Sequence, residues 1–226
     1  MKSLRTRAIV LRRTNYGEAD RILQLITSEG RQAVMARGVR KEKSRLAGGI
    51  ELFAVSDVVI GEGKGELGIL TSARLVHFYR HIMEDYDRMQ FAYETLKRVA
   101  AASEMVDEPE WYDVAQEVLM ALDAVTIELD LTRTWFYIHH AALLGHELSL
   151  VRDVAGHRLL PDETYTYDVA DQGLRLSPKG EITADHIKLL RLIAAKPLKA
   201  LAQIGGIQDI IHDCELLARQ HAALRS

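Results

Sequence analysis

Residues 36–53 read ARGVRKEKSRLAGGIELF, and between Arg37 and Arg45 five cations fall within nine residues: Arg37, Arg40, Lys41, Lys43 and Arg45, interrupted only by Glu42. Guanidinium and ammonium groups at this density neutralise phosphates and release the counterions condensed on a polyanion. The bland alternative is a solvated run of charge, which surface loops also collect. Gly48-Gly49 then turn the chain into an apolar stretch. Other cations precede the run, among them Arg5, Arg7, Arg12, Arg13, Arg21 and Arg31. Arg12 and Arg13 are neighbours, so in a strand they point to opposite faces, and at most one joins a track on a single sheet face. Tyr16 offers a ring on which a base can stack; a packed turn residue is an equal reading. The candidate nucleic-acid-binding set is therefore Arg37, Arg40, Lys41, Lys43, Arg45, Arg12, Arg21, Arg31 and Tyr16.

This run sits in a chain whose formal net charge is −3 over 226 residues. Residues 1–80 hold 15 Lys and Arg against 8 Asp and Glu; residues 81–226 hold 14 against 24. Such a split suggests two modules with different partners, or unlike halves that attract each other within one fold. A basic module is the electrostatic footprint expected for a polyanion partner. With 48% hydrophobic and 27% charged residues, the composition is that of a globular protein. No apolar run reaches the length of a membrane span, and MKSLRTRAIVLRR lacks the apolar core of a signal peptide, so a cytoplasmic location is expected.

The elements that must position these residues follow from periodicity. Residues 4–13, 21–27, 31–37, 52–60 and 67–79 read as five strands, with a short turn at Ser28-Glu29-Gly30 and a glycine-rich connection GEGKGE. Five strands in about 80 residues, with one long link after the third, suit a small barrel of the OB type. From residue 81 the period changes. Ile82, Tyr86, Met89, Tyr93, Leu96 and Ala100 step by three and four, a helix with one buried face. Pro109 precedes a second helix from Glu110, and ELDLTRTWFYIHHAALLG reads as a third, stopping at Gly145. Residues 150–181, rich in Gly and Pro, read as an irregular insert with a small hairpin at YTYDV and GLRLS. Residues 182–195, with Thr183 as N-cap, and residues 207–224 read as two further helices. The expected class is α+β: a basic OB-type barrel, suited to nucleic acid, over 1–80 and a helical domain over 81–226, with the insert at 150–181.

Catalytic signatures are missing from the sequence. It has no phosphate-binding G-x-x-x-x-G-K-[ST], no H-E-x-x-H and no G-x-S-x-G. His139 and His140 lie about 100° apart on a helix and do not share one metal easily. The single cysteine, Cys214, rules out an internal disulfide and a multi-cysteine zinc site. No enzyme activity, metal or cofactor is expected. Nor is there a recognition helix or zinc-finger spacing after the basic run, so binding would be dominated by the backbone, with little sequence preference.

The motifs Y-G-E-A-D-R at 16–21, A-R-G at 36–38 and K-S-R-L-A-G at 43–48 leading to Phe53 resemble, in order and spacing, the RecO family of bacterial recombination mediators. The resemblance is close over 1–80, looser over 81–149 up to A-L-L-G-H-E-L, and beyond that rests on length and position. It implies an OB barrel, a helical domain and a small inserted element. It also implies binding and annealing of single- and double-stranded DNA. With RecR, such a protein helps RecA displace single-stranded-DNA-binding protein. Many members carry a four-cysteine zinc module after the third helix, whereas here LVRDVAGHRLLPDETYTYDVADQGLRL has no cysteine. Leu159, Leu160, Tyr165, Tyr167, Leu174 and Leu176 are expected to hold the insert instead. The helical domain is further implied to receive the acidic, apolar tail of single-stranded-DNA-binding protein. Such a tail needs an apolar pocket beside a cation, for which Arg98 and Arg133 are the candidates. The alternative is a protein-interaction adaptor of the repair machinery with weak DNA binding of its own.

Overall fold

Two compact units make up the chain, residues 1–123 and 124–226. The computed structural model describes residues 3–63, 65 and 67–223. Lys64 and Glu66 of the glycine-rich connection, and residue 224 at the end of the last expected helix, lie outside the described residues.

In the first unit, strands β1 (Ser3–Tyr16), β2 (Asp20–Thr27), β3 (Gly30–Ala36), β4 (Ala54–Gly61) and β5 (Gly68–Phe78) close into a barrel in the order β1-β2-β3-β5-β4. All pairs are antiparallel except β3–β5, which is parallel and joins only Val34 to Gly68 and Met35 to Ile69. Every second residue points inward. Ala8, Val10, Leu23, Leu25, Val34, Ala36, Val58, Ile60 and Leu70 fill the interior. This is the five-stranded OB-type architecture that the strand count indicates.

The outward-facing residues Ile9, Leu11 and Ile26 are also buried. They need a second layer, and two helices supply it: α1 (Tyr86–Met105) and α2 (Glu110–Asp123) pack on β1, β2 and β3. Asp85 caps α1 by accepting from the Arg88 amide. The buried Arg88 guanidinium donates to the carbonyls of Ala121 and Leu122, two of the groups that the last turn of α2 leaves open. The boundary expected at residue 80 marks where the strands stop. The compact unit runs on to Asp123 because the apolar outer face of β1 and β2 requires α1 and α2.

In the second unit α3 (Leu129–Leu143), α4 (Ala184–Ala195), α5 (Leu198–Leu201) and α6 (Ile211–Ala223) surround a core that includes Phe136, Leu190, Ile193, Leu198 and Leu217. The hairpin falls at β6 (Tyr165–Asp168) and β7 (Gly173–Leu176). Of the six residues expected to hold the insert, Leu159, Tyr165 and Leu174 are buried, while Leu160 and Leu176 are about half exposed. Tyr167 is half-buried and its hydroxyl meets His221 Nδ1 at 2.9 Å. Thr183 does cap α4, in a reciprocal pairing with His186.

Candidate nucleic-acid interface

The β3–β4 connection, residues 37–53, lies at the same end of the barrel as the β1–β2 hairpin, because β1, β3 and β5 run toward that end and β2 and β4 start from it. Two anchors hold it. At its start, Gly38 N–H donates to Asp20 Oδ1 at 2.7 Å, Arg40 N–H to the Ala19 carbonyl at 2.9 Å, and Arg40 Nη1 to the Gly17 carbonyl at 3.1 Å. Val39 is buried in the barrel end. At its close, a 3-10 turn over Ala47–Gly49 sinks Ile50 into the same core. A side chain at Gly49 would place Cβ 2.5 Å from the Ala73 carbonyl, so only glycine permits this approach to β5. Phe53 re-enters the barrel at φ 58°, a left-handed backbone that is costly for an aromatic residue, with its ring edge-on to Tyr93 of α1 at 4.8 Å.

Between the anchors, residues 41–45 project. Lys41, Lys43 and Arg45 are exposed, as are Arg37 and Arg40 beside them. Arg37, Lys41, Lys43 and Arg45 form no ion pair or side-chain hydrogen bond among the described residues. Tyr16, 55% exposed, stands next to Gly17, whose carbonyl holds Arg40. Arg21 is half-buried in the same hairpin, its Nε donating to Asn15 Oδ1. Arg12 is exposed on the outer face of β1, across from Gln24. Arg13 points the other way and pairs with Glu51 at 3.0 Å.

Arg31 does not belong to this group. It lies at the opposite end of the barrel, its guanidinium on Glu104 of α1 at 2.7 Å and its amide donating to Asp107. Gln24 donates to the same Glu104. The outer face of β2 and β3, on which OB folds hold oligonucleotides, therefore carries the acidic side chains of Glu104 and Asp107 at that end. Residues 81–123 contain 3 Lys and Arg against 11 Asp and Glu, whereas residues 124–226 contain 11 against 13. The acidity of the C-terminal half is thus concentrated in the helices that cover the barrel.

A family model for the N-terminal region of recombination protein O matches residues 1–79. Among curated relatives, the DNA repair protein RecO of Roseiflexus sp. (strain RS-1) is 30% identical over 210 residues, covering 88% of this chain and 73% of that protein. The RecO of Rubrobacter xylanophilus is 30% identical over 231 residues, covering 93% and 88%. That of Dehalococcoides mccartyi (strain ATCC BAA-2266) is 28% identical over 223 residues, covering 95% and 87%. The chain belongs to the RecO family. Its role lies in DNA repair and recombination. No helix among the described residues is long and apolar enough to cross a membrane.

The insert stands where the family resemblance implies a zinc module in many members. Asp153 Oδ1 accepts from the amides of Ala155 and His157 at 3.0 and 2.8 Å, and the Asp153 amide donates to the His157 carbonyl. In β6, Asp168 Oδ1 accepts from the amides of Ala170 and Asp171, while Oδ2 takes Arg175 Nε at 2.6 Å. These contacts hold the Asp168 carboxyl below its usual range, through the Asp171 amide first and Arg175 next. The two turns are closed by carboxylates whose oxygens already have donors. The described residues contain no group of three or more His, Cys, Asp or Glu placed to hold a metal. Cys214 is buried in α6, where burial pushes its thiol up to about 12. The residues present do not fit a structural zinc ion.

Neither candidate for the tail site is a bare cation. Arg98 of α1 pairs with Glu94 at 2.8 Å, and Arg133 of α3 pairs with Asp130 at 3.2 Å. In the second unit, sequence reasoning missed Arg191. It borders an apolar groove of about 490 Å³ lined by Ile138, Ala142, Leu148 and Val151, and a second of about 400 Å³ with Leu160, Arg158 and Lys188. The Arg191 guanidinium donates to the Leu150 carbonyl. A cation spaced from other cations by apolar residues on a helix carries no distinctive sequence signal.

Proposed function

We propose that the barrel end formed by the 37–45 loop and the β1–β2 hairpin binds the phosphate backbone of single- and double-stranded DNA with little sequence preference. The observation that carries this reading is the set of exposed loop cations, Arg37, Lys41, Lys43 and Arg45, with no acidic partner among the described residues. Holding two strands by their backbones leaves base edges free to pair, which is what annealing requires. In this reading the protein is not an enzyme. With RecR it helps load RecA onto DNA coated by single-stranded-DNA-binding protein, as the family resemblance implies. Fluorescence anisotropy of labelled single-stranded and duplex oligonucleotides, with Arg40, Lys41, Lys43 and Arg45 neutralised together, tests the DNA contact. The variant should bind at least about tenfold more weakly at low salt; unchanged affinity would sink the assignment.

A second reading, the adaptor, is favoured by one observation: the groove of about 400 Å³ where Leu159, Leu160 and Ile187 lie beside Arg158, Lys188 and Arg191, without the Glu147 that lines the neighbouring groove. This chemistry suits an acidic, apolar peptide such as the tail of single-stranded-DNA-binding protein. Titration of that tail peptide against Arg191→Ala and Arg133→Ala checks it. Loss of binding in the first variant only supports the groove; loss in the second only returns the site to Arg133.

A further inference from the structure

The Y-G-E-A-D-R motif contains two acidic residues, Glu18 and Asp20, at the edge of a site that should hold polyanions, where their charge works against binding. Asp20 is the second half of the last cross-strand pair of the β1–β2 hairpin, opposite Tyr16. Its Oδ1 accepts from the Gly38 amide at 2.7 Å, a side-chain contact from the hairpin to the main chain of the cationic loop. The neighbouring residues continue the clasp. The Ala19 carbonyl takes the Arg40 amide, and the Gly17 carbonyl takes the Arg40 guanidinium. Gly38 has φ 64°, a left-handed backbone that turns the chain following the clasped amide. From this point the loop makes two successive turns, Lys41 N–H to the Gly38 carbonyl and Ser44 N–H to the Lys41 carbonyl, with Lys43 exposed in the second and Arg45 just after it.

We infer that Asp20 is a positioning residue for DNA binding: its carboxylate fixes the start of the cationic loop against the hairpin, next to Tyr16. A pinned loop loses little freedom when it meets a ligand, whereas a loose one must be ordered at that moment. The same clasp sets the Arg40 guanidinium on the carbonyl of Gly17, the residue after Tyr16, so that a phosphate contact and a stacking ring share one surface. This rests on the DNA-binding reading above. It makes a prediction opposite in sign to simple charge counting, since deleting a negative charge from a phosphate site should otherwise tighten binding.

Two variants of the full-length chain separate the effects. Asp20→Asn keeps an oxygen acceptor for the Gly38 amide and removes the charge. Asp20→Ala removes both. In anisotropy titrations with a single-stranded oligonucleotide, Asp20→Ala should bind about fivefold or more weakly than the unsubstituted protein, and Asp20→Asn as tightly or more tightly. Limited trypsin digestion without DNA gives a second readout. Cleavage within residues 40–45 should quicken in Asp20→Ala and not in Asp20→Asn. Asp20→Ala binding DNA as tightly as the unsubstituted chain, or equal cleavage rates in all three proteins, would overturn the inference. If none of the three binds DNA, the DNA-binding reading fails, and the digestion alone still decides whether Asp20 orders the loop.

Discussion

The 37–45 loop and the α1–α2 pair belong to the same compact unit and carry opposite charge, and they use it differently. Around α1 and α2 several of the carboxylates are engaged within the fold. Asp85 caps a helix, Glu104 and Asp107 hold Arg31, and Asp123 accepts from the His81 amide. In the loop, Lys41, Lys43 and Arg45 have no such partner among the described residues. A charge paired within the fold is partly neutralised before any ligand arrives. A charge left unpaired at the surface adds little to stability and is available to a polyanion. Net charge does not distinguish the two; the partners do.

Several substitutions would break or sharpen this contrast. The largest effect is expected at the loop anchor. Gly49→Ala drives a Cβ into the Ala73 backbone and should cost on the order of 2–4 kcal/mol, read by denaturant unfolding, while also displacing the loop. Next is the carboxylate-closed turn of the insert. Asp153→Ala orphans two amides and should lower stability by about 1–2 kcal/mol, whereas chelator should leave the melting temperature of the unsubstituted protein unchanged. A melting temperature that drops with chelator would contradict the metal-free account. Smaller still is Arg31→Ala. Its pair with Glu104 is partly exposed, so the loss should be about 0.5–1 kcal/mol, with DNA affinity unchanged.

The smallest effect is a pH dependence in the second unit. Burial holds His139 and His221 below the usual histidine value. Both are therefore neutral in the fold, and the unfolded chain takes up protons first. The stability they contribute is present above about pH 6.5 and is lost as pH falls from there toward their depressed folded values. His212 is shifted upward by the Asp130 hydrogen bond and acts in the opposite sense, but it is fully exposed and screened. The melting temperature should be lower at about pH 5 than at about pH 7, and the fall should be smaller in His221→Gln.

The strands were legible because period-two alternation and glycine turns mark them locally; β1 to β5 begin and end within a few residues of the expected limits. The position of the cationic loop between the third and fourth strands followed from the same pattern. The division after Asp123 was harder to read. A change of period at residue 81 says that helices begin, not what they cover. One signal was present: the unbroken apolar run Ala8-Ile9-Val10-Leu11 requires cover on both faces of β1. The role of Arg31 was not legible, since its partner Glu104 is 73 residues away. Nor was that of Asp20, whose value lies in one oxygen facing the Gly38 amide.

The most direct test compares unpaired with paired cations at equal charge change. One variant replaces Lys41, Lys43 and Arg45 with Gln; the other replaces Arg13, Arg31 and Arg74, which pair with Glu51, Glu104 and Asp57. The measurement is the slope of log affinity for single-stranded DNA against log salt concentration. The account predicts that the slope shrinks by about 2 in the loop variant and by less than about 1 in the other. Equal slopes in the two variants would contradict it, because net charge, rather than unpaired charge at the barrel end, would then govern binding.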